Sequence, residues 1–336
     1  MSNNENAFEK FLNSYEEEDW NTSITELLPL IHEVDRNATQ IWFKFYPIKL
    51  FRVLQESEEP EKLIQKFVMQ GNYKLADQVD DSHVFLYGHR YWSQVKKEVE
   101  NHAESFKPGG HEKLSDEIRK VAKAVADKTK TDESLLVGIT AVAFMTLVQT
   151  GLEKMKSAQG KTTVGKNFAK LSPEKVLAQR TKDDGQGLFG FLKTVDKQWT
   201  VTFSENSNSR FKVMNEEEIA SAAARDNSKD WRAMDERCGE GPIPVECRSA
   251  ACGTCWVGVL GGAEKLGSVK RLEGRRVKEF GYIDTDEPKP IIRLACQAEA
   301  FGAVSIVIPP WNGFWGKYVK KMEEDETEET STGATA

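Results

Sequence analysis

Cysteine is scarce and unevenly placed: none precedes Cys238, and all five fall between Cys238 and Cys296. A chain of 336 residues is long enough for two domains with substantial cores, so it does not need disulfides for stability. An odd, clustered set therefore points to metal ligands or a reactive site rather than a disulfide framework. Histidine is restricted in the opposite direction, with none after His111. A basic excess is also missing. Against 53 Asp and Glu stand 46 Lys and Arg, a formal net charge of −7, which disfavours a nucleic-acid role. Met1-Ser2-Asn3-Asn4-Glu5-Asn6 has neither a basic nor an apolar leader region, so no signal peptide is expected and the chain is assigned to the cytoplasm. Only Leu135–Leu152 runs 18 positions without a charge. Gly138, Thr140, Thr146, Gln149, Thr150 and Gly151 dilute it and charges flank it, so it is expected to be a buried bundle helix, not a membrane span.

What is present is globular: 39% hydrophobic and 29% charged residues. Residues 1–158 read as an all-α domain. Apolar spacing predicts helices around Ser23–Ile31, Glu61–Met69 (opened by Pro60), His83–Ser105 and His111–Lys128, with Pro108-Gly109-Gly110 breaking the last two apart. Residues 159–195 read as a connector with one short helix at Pro173–Gln179. Beyond it the pattern turns to short β-runs. Trp199–Phe203 and Arg210–Met214 flank a polar turn and predict a hairpin, and Asn215 is placed to cap a helix opened by Glu216-Glu217-Glu218. Trp256–Leu260, Ile291–Leu294 and Val304–Ile308 are predicted strands, the last stopped by Pro309-Pro310. Residues 323–336 form an acidic, Thr-rich tail expected to be disordered.

The cysteines carry the chemistry. Cys247, Cys252 and Cys255 are spaced C-x4-C-x2-C, and Cys296 follows 41 positions after Cys255. This is the ligand spacing of a plant-type [2Fe-2S] cluster, in which a short loop delivers three thiolates and a distant strand end the fourth. Four thiolates on two ferric ions and two sulfides leave about −2 of charge, about −3 after reduction, and charge of that kind is costly to bury without compensation. The loop suits the task. Arg248, Ser249, Ala250, Ala251, Gly253 and Thr254 are mostly small, so backbone N–H groups can approach the sulfurs. Ser249 and Thr254 offer hydroxyl donors as well, and Arg248 a compensating charge. A structural zinc site remains the rival reading, although zinc ribbons usually pair two C-x2-C knuckles and only one is present. Cys238 has no place in the ligand set and reads as a free thiol.

The run Glu246–Val259, with Arg293-Leu294-Ala295-Cys296-Gln297 downstream, resembles a plant-type ferredoxin domain. The resemblance covers about residues 196–311 and implies a β-grasp, ferredoxin-like fold carrying one [2Fe-2S] cluster on these four cysteines. It also implies a redox protein or complex as electron donor and acceptor. Two departures stand out: a long lead-in over residues 226–246, and an extended stretch from Cys255 to Cys296. No family resemblance extends to the N-terminal half. The fold class is thus α+β, an all-α N-terminal domain followed by a β-grasp [2Fe-2S] domain.

Other signals are weaker. Gly185–Gly190 satisfies G-x-G-x-x-G but lacks the strand and helix a dinucleotide site needs, so it reads as linker. His32, His83, His89, His102 and His111 show no paired E-x-x-H pattern for haem or di-iron binding. Trp311, Phe314, Trp315 and Tyr318, mostly within a short extension at 312–322, are expected to cover a domain edge or to anchor a partner. Lys265, Lys270, Arg271, Arg275, Arg276 and Lys278 form a basic run read as a solvated face, or as a site for an acidic partner. No flavin, nicotinamide or molybdenum signature is visible. The chain is therefore read as a one-electron carrier without its own substrate site, docking through its helical domain to a larger redox complex or to a second copy. The alternatives are a redox-sensing regulatory module, an accessory subunit of a multi-subunit oxidoreductase, and an enzyme with an unseen cofactor in its helical half.

Overall fold

The computed structural model describes residues 5–186, 197–280 and 289–316. The predicted acidic tail, Tyr318 and the latter part of the glycine motif lie outside these residues. Helices in the N-terminal part and a mixed sheet in the C-terminal part make the chain α+β, as its sequence pattern predicts. The chain divides into two compact units that do not follow chain order. One gathers the residues up to Val53 with Lys74–Gln179 and the turn Ser204–Ser209; the other gathers Leu54–Tyr73, Arg180–Phe203 and the chain from Arg210.

The helical unit is built around the helix Ser134–Thr150, in which every residue from Leu135 to Gln149 is buried. A helix apolar on all sides has to be enclosed, and amphipathic helices supply the enclosure. Glu33–Phe45 turns Val34, Ala38, Ile41, Trp42 and Phe45 inward, and Leu114–Thr129 does the same with Leu114, Ile118, Val121, Ala122 and Val125. Gly138 allows close approach, since a Cβ there would collide with Thr39 Oγ1. Two polar side chains of the central helix are satisfied internally: Thr146 Oγ1 donates to Val142 O (2.8 Å) and Gln149 Nε2 to Tyr46 O (2.9 Å), whereas the buried Thr140 hydroxyl finds no partner among the described residues. The expectation of a bundle helix holds, and among the described residues no helix is long and apolar enough to cross a membrane.

The helix expected over His83–Ser105 begins only at Trp92. Its predicted first turns are held in another conformation by Asp35, whose carboxylate accepts from Tyr87 N (2.6 Å) and Gly88 N (2.7 Å). A buried histidine pair fixes the same segment. His83 Nε2 donates to Val79 O (3.3 Å), which leaves its Nδ1 to accept from His89 Nδ1 (2.8 Å). His89 Nε2 in turn accepts from Thr163 N (3.0 Å), so both rings are satisfied only when neutral. Burial, reinforced by the neighbouring His89, holds His83 well below the usual histidine range. Burial also pushes His89 down to about 4 against the opposing pull of Asp80.

In the second unit, the strands are β1 (Gln70–Gly71), β2 (Gln198–Ser204), β3 (Ser209–Met214), β4 (Glu217–Glu218), β5 (Trp256–Gly261), β6 (Ile292–Leu294), β7 (Glu299–Ala300), β8 (Val304–Val307) and β9 (Trp311–Asn312). The main sheet runs in the order β3-β2-β8-β5-β6, with β2 parallel to β8 and β5 antiparallel to both of its neighbours. As a strand with neighbours on both edges, β5 is buried through Trp256–Leu260. Small antiparallel pairs β4–β7 and β1–β9 flank it. The acidic triplet does not open a helix. Glu216 takes a left-handed φ of 66°, Glu217 and Glu218 pair with β7, and the helix starts at Ile219. Asn215 Oδ1 instead accepts from Trp199 Nε1 (3.0 Å). Ladder bonds to Ala300 and Glu299 outcompeted a local cap.

The histidine pair yields a signed pH dependence. The folded His89 pKa, about 4, lies below the ordinary 6.5, so the unfolded chain takes the proton first as pH falls. Stability of the helical unit should be full at neutral pH and decline between about pH 6.5 and 4, by about 3 kcal/mol from His89. Urea unfolding across this range should show that slope, and His89→Gln should reduce it.

Candidate metal centre

Cys255 leads directly into β5, and Cys296 lies just beyond β6. The two strands pair in the register Trp256↔Leu294, and Ala295 N donates to Cys255 O (2.9 Å), extending the ladder by one rung. Sheet register thus brings two cysteines 41 positions apart side by side, and their thiols are hydrogen-bonded to each other. Both are buried, at 3% and 4% exposure, whereas Cys247 and Cys252 are half-buried.

The loop between Cys247 and Cys255 is curled by left-handed backbone at Arg248 (φ 51°), Ala250 (φ 59°) and Gly253 (φ 69°). Glycine takes such a φ freely; arginine and alanine do so only where surrounding contacts compensate. Here the compensation is visible. The curl points Ala251 N and Cys252 N at Cys247 Sγ, each at 3.2 Å. Ser249 adds its backbone N–H and its hydroxyl to the same sulfur, which also interacts with the Cys252 thiol. The Ala250 N–H reaches across to Cys296, and Gln297 Nε2 lies 3.6 Å from Cys296 Sγ.

These donors shift the thiols. Burial pushes Cys247 up, but the hydrogen bonds from Ser249 and Cys252 outweigh it and hold the thiol at about 7. The Cys255 thiol lowers Cys296 to about 6, helped by the Ala250 amide and opposed by burial. Cys255 is raised, because the proton it shares with Cys296 and its own burial both oppose its ionisation. Cys238 stands apart from the four, with Sγ donating to Pro242 O (3.4 Å), and burial pushes its thiol up to about 11. Among the described residues no group of three or more His, Cys, Asp or Glu side chains is set to hold a single ion. The four cysteines come as two pairs.

The other residues flagged by sequence take different positions. Arg248 pairs with Glu240 at the exposed rim, so its guanidinium is engaged away from the thiols. Thr254 is buried, and its carbonyl accepts from Asn312 Nδ2. Of the basic run, Lys265 pairs with Asp183 (2.7 Å) and Lys270 with Glu299 (2.7 Å). Sequence reading did not foresee the ion pair Arg293–Glu273, fully buried at 1% and 0% exposure. Arg293 Nε and Nη2 donate to the two Glu273 oxygens at 2.8 and 3.0 Å, and Leu294 N donates to the same carboxylate (2.9 Å). It ties the helix Arg271–Phe280 to β6, two residues before Cys296. The only sequence signal was a carboxylate, one of two, in a helix with four basic residues.

Residues 203–300 match the family model of the 2Fe-2S iron-sulfur cluster binding domain. This part of the chain is a ferredoxin-type domain; it binds a [2Fe-2S] cluster and has the capability for electron transfer. No curated protein and no solved structure matches the chain. The N-terminal half matches no family.

Ser249→Ala should leave the protein folded and its iron content unchanged while shifting its midpoint potential negative, as one donor to the Cys247 sulfur is lost; redox titration reads the shift. Cys238→Ser should leave the visible spectrum unaltered.

Proposed function

We propose that the chain is a one-electron carrier in which Cys247 with Cys252 binds one iron of the cluster and Cys255 with Cys296 binds the other. The observation that carries this reading is the pairing of the thiols. Two irons bridged by sulfide need two cysteine sulfurs each, whereas one zinc needs four sulfurs converging about 2.3 Å from a single point. The donor set fits a cluster of net negative charge: backbone N–H groups of Ala250, Ala251 and Cys252 are aimed at sulfur, and Glu273, whose carboxylate acts on Cys296, is paired with Arg293.

The bound cluster supplies a centre that gains and loses one electron. The chain's residues set the conditions. Cys255 and Cys296, buried beside each other at the start of β5 and the end of β6, keep water from one side. Cys247 and Cys252, with the exposed Ser249 and Ala251, leave the other side open to a donor or acceptor protein. Close approach of a partner to that rim is what electron exchange requires. The order of hairpin, short helix and following strands around this loop supports a β-grasp arrangement. The helical unit, with a complete core of its own, is proposed as the body that docks to a larger redox complex. Five cysteines with no disulfide among them fit a reducing, cytoplasmic setting.

Purified, anaerobically prepared protein should contain two iron and two acid-labile sulfide per chain, and give one EPR signal on one-electron reduction. Its potential should lie on the order of −400 mV. Serine at Cys247, Cys252, Cys255 or Cys296 should abolish or alter that signal in each case. A colourless, iron-free preparation from iron-replete cells would overturn the assignment, and full retention of the signal in any one of the four variants would remove that residue from the ligand set.

A further inference from the structure

We infer that Asn312, held in place by Arg237, is a positioning residue for the cluster loop, acting through the peptide that joins Thr254 to Cys255. The inference rests on the ligand assignment above and adds to it a residue far outside the cysteine motif.

Asn312 is 4% exposed and its amide is used at both ends. Its Oδ1 accepts from Arg237 Nη1 (2.7 Å), and its Nδ2 donates to the Thr254 carbonyl. These partners fix the amide's orientation. A guanidinium only donates and a carbonyl only accepts, so a flipped amide would lose both bonds. Arg237 is itself locked, with its side chain 5% exposed. Its Nε and Nη2 grip the Asp235 carboxylate at 2.9 and 2.6 Å, and Nη2 also reaches Pro309 O (3.0 Å).

The segment that carries Asn312 is equally constrained. Strand β9 pairs with β1 in the register Gln70↔Asn312, Asn72 N donates to Pro310 O (2.8 Å), and Phe314 N donates to Phe67 O (2.7 Å). Trp311 packs on Trp256 and Trp315 on Phe67, with ring centroids 6.1 and 5.5 Å apart. Gly71 takes a left-handed φ of 86°, and a Cβ there would lie 2.9 Å from Arg237 Nε. The aromatic extension therefore covers the edge of this unit, and residues from the first quarter of the chain brace it.

The consequence for the cluster follows from peptide geometry. The Thr254 C=O and the Cys255 N–H share one rigid plane and point in opposite directions. Pinning the carbonyl fixes where the N–H aims, and a hydrogen bond to the carbonyl polarises that N–H further. Although Asp235 neutralises the charge of Arg237, the hydrogen-bond chain from its Nη1 through Asn312 polarises the backbone of the Cys252–Cys255 knuckle. Removing the relay leaves the reduced state, which is the more negative, less well stabilised, and frees the knuckle to open.

The test uses the full-length, cluster-loaded chain. Asn312→Leu keeps the volume and removes both bonds. Asn312→Asp keeps the contact with Arg237 but sets an acceptor against the Thr254 carbonyl. Both should move the midpoint potential negative and speed cluster loss to a chelator about ten-fold, followed by bleaching of the visible absorption. Arg237→Gln should cause a smaller shift of the same sign, absent in the Asn312→Leu background, because it acts through Asn312. A merely structural role would lower apoprotein melting and leave the potential alone. If Asn312→Leu fails to fold, Asn312→Asp and Arg237→Gln decide. Folded, iron-replete variants with an unchanged potential and a loss rate within about two-fold of the parent would overturn the inference while leaving the ligand assignment standing. A parent protein without the [2Fe-2S] spectrum would overturn both.

Discussion

Four thiolates crowded around two irons bring more negative charge into a protein than a low-dielectric interior tolerates unaided. The C-terminal unit answers that constraint with backbone dipoles. Between Cys247 and Cys255 the chain curls through left-handed positions at Arg248, Ala250 and Gly253, and the curl turns successive amides onto sulfur. Amides serve this purpose better than lysine or arginine side chains, because they add partial positive charge at close range without another full ion to desolvate. Arg248 illustrates the point. The one formal cation inside the motif turns outward to Glu240, and the loop relies on its main chain instead.

A loop that strained needs rigid walls, and the sheet provides them. The antiparallel pairing of β5 and β6 sets Cys296 against Cys255 to within one register step, and a one-residue slip would turn the sulfur to the opposite face. The Arg293–Glu273 pair holds β6 from beneath. Removing one partner from a buried pair of this kind strands the other as an uncompensated charge, a penalty of about 3–5 kcal/mol, so the pair resists being undone whatever its net contribution to stability. On the other wall, Asn312 and Arg237 anchor the knuckle through Thr254.

The helical unit follows a different logic. Its central helix, Ser134–Thr150, has no polar face to give to solvent, and the surrounding amphipathic helices enclose it completely. The polar groups that fix the 83–91 segment inside that core are matched: Asp35 to the Tyr87 and Gly88 amides, His83 to His89 and Val79. Such matching stabilises a single arrangement of the 83–91 segment and keeps both imidazoles neutral.

The sequence alone determined the chemistry of the centre and the class of the fold. Cysteine spacing is a covalent property of the chain, and a C-x4-C-x2-C run with a distant fourth cysteine leaves few metal clusters that it can wrap. Helical periodicity and the uncharged stretch at Leu135–Leu152 were legible for the same reason, since burial of an apolar face is a local demand. What required the tertiary structure was everything held by partners remote in the chain. Asp35 delayed the start of the helix expected over His83–Ser105; Ala300 and Glu299 drew the 216–218 triplet into a ladder; Glu273 and Asn312 came to bear on Cys296 and Thr254 from 23 and 58 positions away. Hydrogen bonds and ion pairs carry no periodicity that a linear pattern can reveal. Which donor meets which acceptor is decided only when the chain has closed on itself.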